Sequence, residues 1–214
     1  MSATAKSNLD TLLARRRSCR EFASGAPDDG AIQAILQAGW LAPHAGATGV
    51  PLAEKRRFVV VRRGSPAHVA LYARLMAIMK RNRRSLSFAR FLVPGLRRKT
   101  ETFYKRTASL AGKGIRTLET APFWIIVAER RGFPPAQDKS LAHVMQNMWL
   151  KATDLGLGFM LLSATGTAAK DARFMDMLGL KKGEWSIDGC LVGLPALEIK
   201  PSGESLPEEA VRRL

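Results

Sequence analysis

The sequence predicts an α/β or α+β sandwich in a single domain, and three observations carry that expectation. Its 214 residues are 46% apolar, enough for a sizeable core and a length that suits one domain. Short strand-like runs, FVVV at 58–61, FWIIVA at 123–128 and FMLLSA at 159–164, alternate with stretches of helical period. A long amphipathic stretch at about 138–156 carries Leu141, Val144, Met145, Met148, Ala152 and Leu155 along one face, as a helix does when it packs on a sheet.

Taken in order, residues 7–17 read as a short helix with Leu9, Leu12 and Leu13 on one side and arginines closing it. A second helix is expected over about 28–41. Asp28 or Asp29 caps it, and Ile32, Ile35, Leu36 and Gly39 recur at helical spacing. Pro43 and the glycines and alanines around it make 42–51 a loop before the strand at 58–61. Two helical stretches follow, about 65–92 and 96–117, with Pro94 and Gly95 between them. The strand FWIIVAE comes next, then a Gly/Pro-rich loop at 132–135, the long helix, and GLG at 156–158 leading into FMLLSA. A further helix holds Phe174, Met175 and Leu178, and IDGCLVGL and LEIK read as two final strands. No internal repeat divides the chain, so residues 1–214 are expected to form one domain.

Composition narrows the function classes. No apolar run approaches the roughly 20 residues that span a bilayer. The N-terminal stretch has no apolar block ahead of a small-residue cleavage site, so a cytoplasmic protein is expected. Cys19 and Cys190 lie far apart without metal-ligand spacing and read as two ordinary thiols. There is no Gly-x-Ser-x-Gly, His-Glu-x-x-His, Walker lysine motif or Rossmann glycine fingerprint. No protein nucleophile, metal or catalytic acid is therefore singled out.

Charge is the anomaly. Of a net +16, the stretch from Arg62 to Arg116 holds fifteen Lys or Arg against one acid, Glu101, while the rest of the chain is nearly balanced. Such a block is either a solvated helical face or a surface for an anionic partner: nucleic acid, acidic lipid or a phosphorylated cosubstrate. Its aromatics, Tyr72, Phe88, Phe91, Phe103 and Tyr104, form no nucleic-acid recognition pattern, which disfavours nucleic acid. The stretch 71–93 mixes apolar and basic residues as interfacial helices do, which keeps a membrane surface in view.

Four segments, in this order, resemble the nitroreductase family of FMN-dependent flavoproteins. The first is Arg16-Arg17-Ser18-Cys19-Arg20, followed by Glu21-Phe22. A phosphate is well met by two or more guanidinium groups and a hydroxyl, and a further cation at the pyrimidine edge stabilises a reduced, anionic flavin. The resemblance implies that Arg16, Arg17 and Ser18 hold phosphate and ribityl oxygens and that Arg20 approaches the ring. Read without the family, the same run is a helix end favoured by basic side chains.

The second segment, Ala42-Pro43-His44-Ala45-Gly46-Ala47, is similar to the family's Ala-Pro-Ser loop, with His44 replacing the serine and Ala47 standing near an asparagine. In the family this loop reaches the partner's flavin, which implies His44, Ala45 and Ala47 as contacts across a homodimer. His44 reads either as a substrate contact or proton donor, or as plain surface. The third and most specific segment runs from Asp138 to Ala164, with Gln146-Asn147-Met148-Trp149-Leu150 and then Gly156-Leu157-Gly158. The resemblance implies that this helix packs in the dimer core. It also implies that Leu161, Ser163 and Ala164 face the flavin's N5 edge.

The fourth segment is Gly193-Leu194-Pro195 with Leu206-Pro207-Glu208-Glu209-Ala210-Val211. The base that the family carries just before its last helix is replaced here by Glu204 and Ser205, which leaves Lys200 as the nearest cation for the phosphate. Lys113 and Arg116, shortly before Ala121-Pro122, fall where the family places contacts to the pyrimidine edge.

The resemblance implies an α+β fold, an α-β-α sandwich around a central mixed, mainly antiparallel sheet, with FMN at a homodimer interface. It implies NAD(P)H as cosubstrate and a ping-pong transfer to a small organic acceptor such as a nitroaromatic or quinone, anionic if the basic block recruits it. The cofactor carries such chemistry, so no catalytic side chain is required. The basic helical insertion at about 65–116 is expected to be a lid that recruits an anionic substrate or the phosphate of NADPH. The alternative is a degenerate flavoprotein scaffold that binds an anionic partner, nucleic acid or an acidic membrane surface, through 62–116.

Overall fold

Two apolar runs dictate the centre of the molecule. The computed structural model describes residues 8–45, 51–202 and 206–212. Among these, four strands form one sheet: β1 (Arg56–Arg62), β2 (Phe123–Arg130), β3 (Gly158–Leu161) and β4 (Trp185–Gly193), in the order β1-β2-β4-β3. Every pairing between these strands is antiparallel, and a single parallel bridge, Ser18 to Phe159, lies beside β3. β2 and β4 are central and buried on both faces, which explains the unbroken apolar run of β2 and of the Cys190–Val192 end of β4.

Helices cover both faces. The described helices are α1 (Asn8–Arg15), α2 (Asp29–Trp40), α3 (Leu52–Lys55), α4 (Pro66–Leu92), α5 (Pro94–Lys113), α6 (Arg116–Thr120), α7 (Gln137–Asp154), α8 (Ala164–Thr167) and α9 (Ala172–Met177). On one face Ile32 and Ile35 of α2 and Val144 and Met148 of α7 pack with Phe123, Ile125, Val127 and Cys190. On the other, Leu71 and Leu75 of α4, Leu118 of α6 and Phe174 of α9 pack with Trp124, Ile126 and Leu191. The two sets of β2 residues alternate, as a strand sandwiched between two helical layers requires. Asp28 caps α2, its side chain accepting from the Ala31 N–H at 2.7 Å.

The structure departs from the sequence reading at four places. The two basic helices separate where expected, but at Val93 rather than at Pro94 and Gly95: Pro94 is the first residue of α5, where a missing N–H costs nothing. The second basic helix ends at Lys113 rather than 117: Gly114, whose φ of 79° is left-handed, closes it, and α6 follows as a separate turn. FMLLSA does not stay a strand to its end. β3 stops at Leu161, and the chain turns into α8. LEIK is no strand. It lies in the irregular segment 196–202, which follows the N-terminal arm through Ala196 N–H to Glu21 O at 3.0 Å and Ser202 N–H to Ala14 O at 2.8 Å.

The basic block folds as a helical hairpin of α4 against α5. Its buried α4 residues, His68, Leu71, Leu75, Ile78 and Met79, all precede position 80. Beyond Met79 the helix continues to Leu92, about 20 Å at the α-helical rise.

Candidate functional site

The N-terminal arm reaches its place because its residues alternate between anchors and free cations. Cys19 and Phe22 are buried, while Arg17 and Arg20 between and beside them are exposed. Cys19 N–H donates to Phe159 O at 2.9 Å and Ala23 N–H to Leu194 O at 2.9 Å, so the arm runs along β3 and the end of β4. Two glycines permit that approach. A Cβ at Gly158 would stand 2.6 Å from Cys19 Sγ, and one at Gly193 would stand 2.8 Å from Phe22 Cδ1.

Trp149 of α7 fastens the arm from below. Its indole N–H donates to Arg17 O at 3.3 Å, its ring stacks on Phe159 at 5.2 Å, and the Arg16 guanidinium lies 4.5 Å above it. A parallel bridge joins Ser18 to Phe159, and by Phe22 the arm has reached Pro195, just past the end of β4. Leu161 and Ser163 are exposed and Ala164 is half-buried at the start of α8. The exposed Lys200 lies on the segment that runs beside residues 14–21. Backbone hydrogen bonds thus run the segment carrying Lys200 beside the arm that carries Arg16, Arg17, Ser18 and Arg20, while Leu161, Ser163 and Ala164 follow Phe159 along β3 and into α8. Among the described residues, none of the four cations in this set has a carboxylate partner. The one thiol here is no nucleophile: burial pushes the Cys19 pKa up, and its S–H donates to Glu21 O at 3.1 Å.

His44 and Ala45 lie elsewhere. The half-buried His44 ring meets Glu129 Oε2 at 3.1 Å through Nδ1, which corrects its reading as plain surface. Ala45 N–H donates to Ser140 Oγ at 2.8 Å. Glu129 is fully buried and accepts from Arg56 Nε at 2.5 Å. Arg56 Nη1 donates to the carbonyls of Gly39, Trp40 and Ala42 at 2.8, 2.9 and 2.9 Å, fastening the C-terminal end of α2 and the residues just past it. Glu129 pairs across β4 with Ser186, whereas Phe159 pairs with Val192. Six residues of strand separate them, about 20 Å at the strand rise. One chain therefore does not bring His44 and Ala45 to its own Ser18. Ala47 lies outside the described residues, as does the side chain of Lys113. Arg116 is exposed at the first position of α6.

Sequence reading missed the Arg56–Glu129 pair. The available signal was one charge at the near end of FVVV and an opposite one at the far end of FWIIVA, which antiparallel pairing sets directly across from each other.

Two concavities mark the surface of the described residues. A groove of about 340 Å³ between α1, α2 and α7 is lined by Leu12, Ala38, Leu41, Asn147 and Leu150, among others. Asn147 Nδ2 donates to Ala38 O at its floor. A wider, open depression on α4 is lined by Lys80, Arg83, Arg84, Ser87 and Phe88.

The model of the nitroreductase family matches residues 13–194. Similar solved structures include a nitroreductase with bound FMN from Bacteroides fragilis NCTC 9343, with 18% identity, a TM-score of 0.70, and 98% of this chain and 100% of that chain covered. A nitroreductase with bound FMN from Desulfitobacterium hafniense DCB-2 has 22% identity and a TM-score of 0.66, covering 95% and 96%. A BluB-like flavoprotein from Clostridium difficile 630 has 18% identity and a TM-score of 0.67, covering 98% and 100%. At these identities the likeness is one of fold. No curated protein matches the chain.

Proposed function

We propose, because this chain belongs to the nitroreductase family, that it is an FMN-dependent oxidoreductase passing electrons from NAD(P)H to a small organic acceptor. The observation that carries the reading is the cluster of Arg16, Arg17, Arg20 and Lys200 around Ser18, gathered by backbone hydrogen bonds and left without carboxylate partners among the described residues. Unpaired cations beside a hydroxyl fit a phosphate dianion, and Leu161 and Ser163, exposed further along β3 and the turn after it, would meet the face of a ring. The donor set therefore fits FMN.

In this reading Arg16, Arg17 and Lys200 hold the phosphate, Ser18 hydrogen-bonds phosphate or ribityl oxygens, and Arg20 supplies positive charge at the pyrimidine edge. Arg16 arrives pre-oriented by the Trp149 ring, so less rotamer freedom is lost on binding. Leu161 keeps water from the N5 edge, while Ser163 and Ala164 hydrogen-bond ring atoms through their backbone. Arg116 and Lys113 serve the pyrimidine edge. When bound, FMN supplies the two-electron chemistry in a ping-pong cycle.

The protein acts as a homodimer in this proposal. Leu9, Leu13 and Leu41 are exposed around the groove between α1, α2 and α7, an apolar face that a second copy would cover. His44, Ala45 and Ala47 then serve the partner's cofactor, which accounts for their distance from their own chain's Ser18. The basic hairpin acts as a lid that favours an anionic acceptor or the phosphate of NADPH. No helix among the described residues is long and apolar enough to cross a membrane, and the proposed location is the cytoplasm.

The deciding experiment is the visible spectrum of natively purified protein, with mass identification of any released chromophore. Flavin bands and released FMN are expected. Replacing Arg17 and Lys200 together by alanine should weaken FMN binding by at least roughly 100-fold, since charge-assisted hydrogen bonds contribute about 1.5–3 kcal/mol each. A colourless protein that takes up no added FMN would end this reading.

A further inference from the structure

The tip of the α4–α5 hairpin keeps charged and polar groups between its helices and leaves large apolar side chains outside. Where the two helices meet, polar contacts join them: Ser87 Oγ and Tyr104 Oη are 2.9 Å apart, and the Arg90 guanidinium lies 4.2 Å over the Tyr104 ring. Arg90 also donates to Thr100 Oγ1 at 3.0 Å and to Glu101 Oε2 at 2.5 Å. The outside of the same tip is apolar. Phe88, Phe91 and Leu92 recur at i, i+3 and i+4 on one helical face, are 65%, 71% and 60% exposed, and lead into the exposed Val93. An amphipathic hairpin that only needed to stay folded in water would bury these side chains and expose Arg90.

What surrounds the apolar tip is almost wholly cationic. From Lys80 to Arg106 the chain carries ten Lys or Arg and one acid, Glu101. That acid is occupied by Arg90 and Lys105, and the pair holds its carboxyl below the usual range. Arg84, Arg98 and Lys99 stand exposed around the tip. Because no buried residue of α4 lies beyond Met79, the tip projects clear of the core.

We infer that the tip of this hairpin is a docking surface for an anionic phospholipid bilayer, with Phe88, Phe91, Leu92 and Val93 entering the interface and the surrounding cations meeting the headgroups. Apolar side chains beside basic ones are what such an interface takes up, each by a separate force. Two rivals fit less well. A duplex nucleic acid satisfies the cations and offers Leu92 and Val93 no apolar cavity. A second copy docked tip to tip would set two acid-poor basic surfaces against each other, which opposes association. The surface does not span the membrane, in keeping with the absence of any long apolar helix among the described residues.

The test is co-sedimentation of the full-length protein with phosphatidylcholine vesicles, with and without about 30 mol% phosphatidylglycerol. Association with the anionic vesicles alone is expected, and it should fall as salt is raised. A variant carrying Phe88→Ser, Phe91→Ser and Leu92→Ser should partition at least about tenfold more weakly. One carrying Arg84→Gln, Arg98→Gln and Lys99→Gln should do the same. Thermal melting checks that both remain folded. The inference is overturned by no association with anionic vesicles, by unchanged association of the apolar variant, or by tip-dependent self-association without lipid. Tighter binding to a duplex oligonucleotide, retained by the apolar variant, would assign the surface to nucleic acid instead. The readout is independent of bound flavin, so its failure and that of the proposed oxidoreductase function are separable.

Discussion

Asp171 fastens the basic hairpin to the body of the molecule. Its buried carboxylate accepts from Arg74 Nε at 2.8 Å and Nη2 at 2.7 Å, and from Arg81 at 3.3 Å. It also caps α9, accepting from the Phe174 N–H at 3.0 Å. The Arg74 hydrogen bonds hold its pKa below the ordinary aspartate value. A depressed folded pKa means that the stability it contributes is fully present above the unfolded value of about 3.9 and is lost as pH falls through the folded one. Asp171→Asn keeps the cap and removes the charge. It should lower the melting temperature by roughly 5 °C at pH 7, with the gap to the parent closing as the pH drops below 4. An equal gap at both pH values would mean that charge is not what Asp171 contributes. At this scale legibility was uneven. Arg16, Arg17, Ser18 and Arg20 stand together in sequence and again in space. Arg56 and Glu129 look like solvated strand ends, because what buries them is a cross-strand register and the end of α2, neither of which is local.

Among the elements, the arm against β3 is the one on which the candidate site depends. Gly158 leaves room for it: an added Cβ would meet Cys19 Sγ at 2.6 Å, Cys19 Cβ at 2.9 Å and Phe22 Cε1 at 3.2 Å. Gly158→Ala should push the arm off β3, destabilise the fold by about 1–3 kcal/mol as overpacking does, and weaken FMN binding measured by flavin fluorescence quenching. Gly95→Ala, where a Cβ meets nothing within 4 Å, should leave FMN binding unchanged. Equal binding by Gly158→Ala and its parent would remove the arm's role in positioning the site. The major elements were legible because burial imposes a period: α2 and α7 show the spacing of one covered face, and β2 the unbroken run of a strand covered twice. LEIK misled because Leu197 and Ile199 alternate like a strand. In space that segment borders the N-terminal arm and gains no ladder of its own.

At the scale of the whole molecule, one chain looks incomplete in two ways that a second copy would remedy together. α1 contributes no buried residue although its leucines share a side, and Leu41 closes α2 at 71% exposure beside the same groove. A stable dimer interface covers about 1,600 Å² in total, so these exposed leucines and the α7 face would form part of it. The loop holding His44 and Ala45 is meanwhile fixed by Arg56, Glu129 and Ser140 at the far end of the sheet from the Ser18 cluster. Charges placed on the shared face should therefore break the assembly and the cofactor site at once. With Leu13→Asp and Leu41→Asp, sedimentation velocity should show a monomer, and the FMN retained per chain should fall by at least about tenfold. Both positions are solvent-exposed in the single chain, so its melting without flavin should change little. A parent protein that sediments as a monomer would refute the dimer itself. A monomeric variant that keeps its FMN would leave the dimer standing and show that Arg16, Arg17, Ser18 and Lys200 hold the cofactor without the partner's loop.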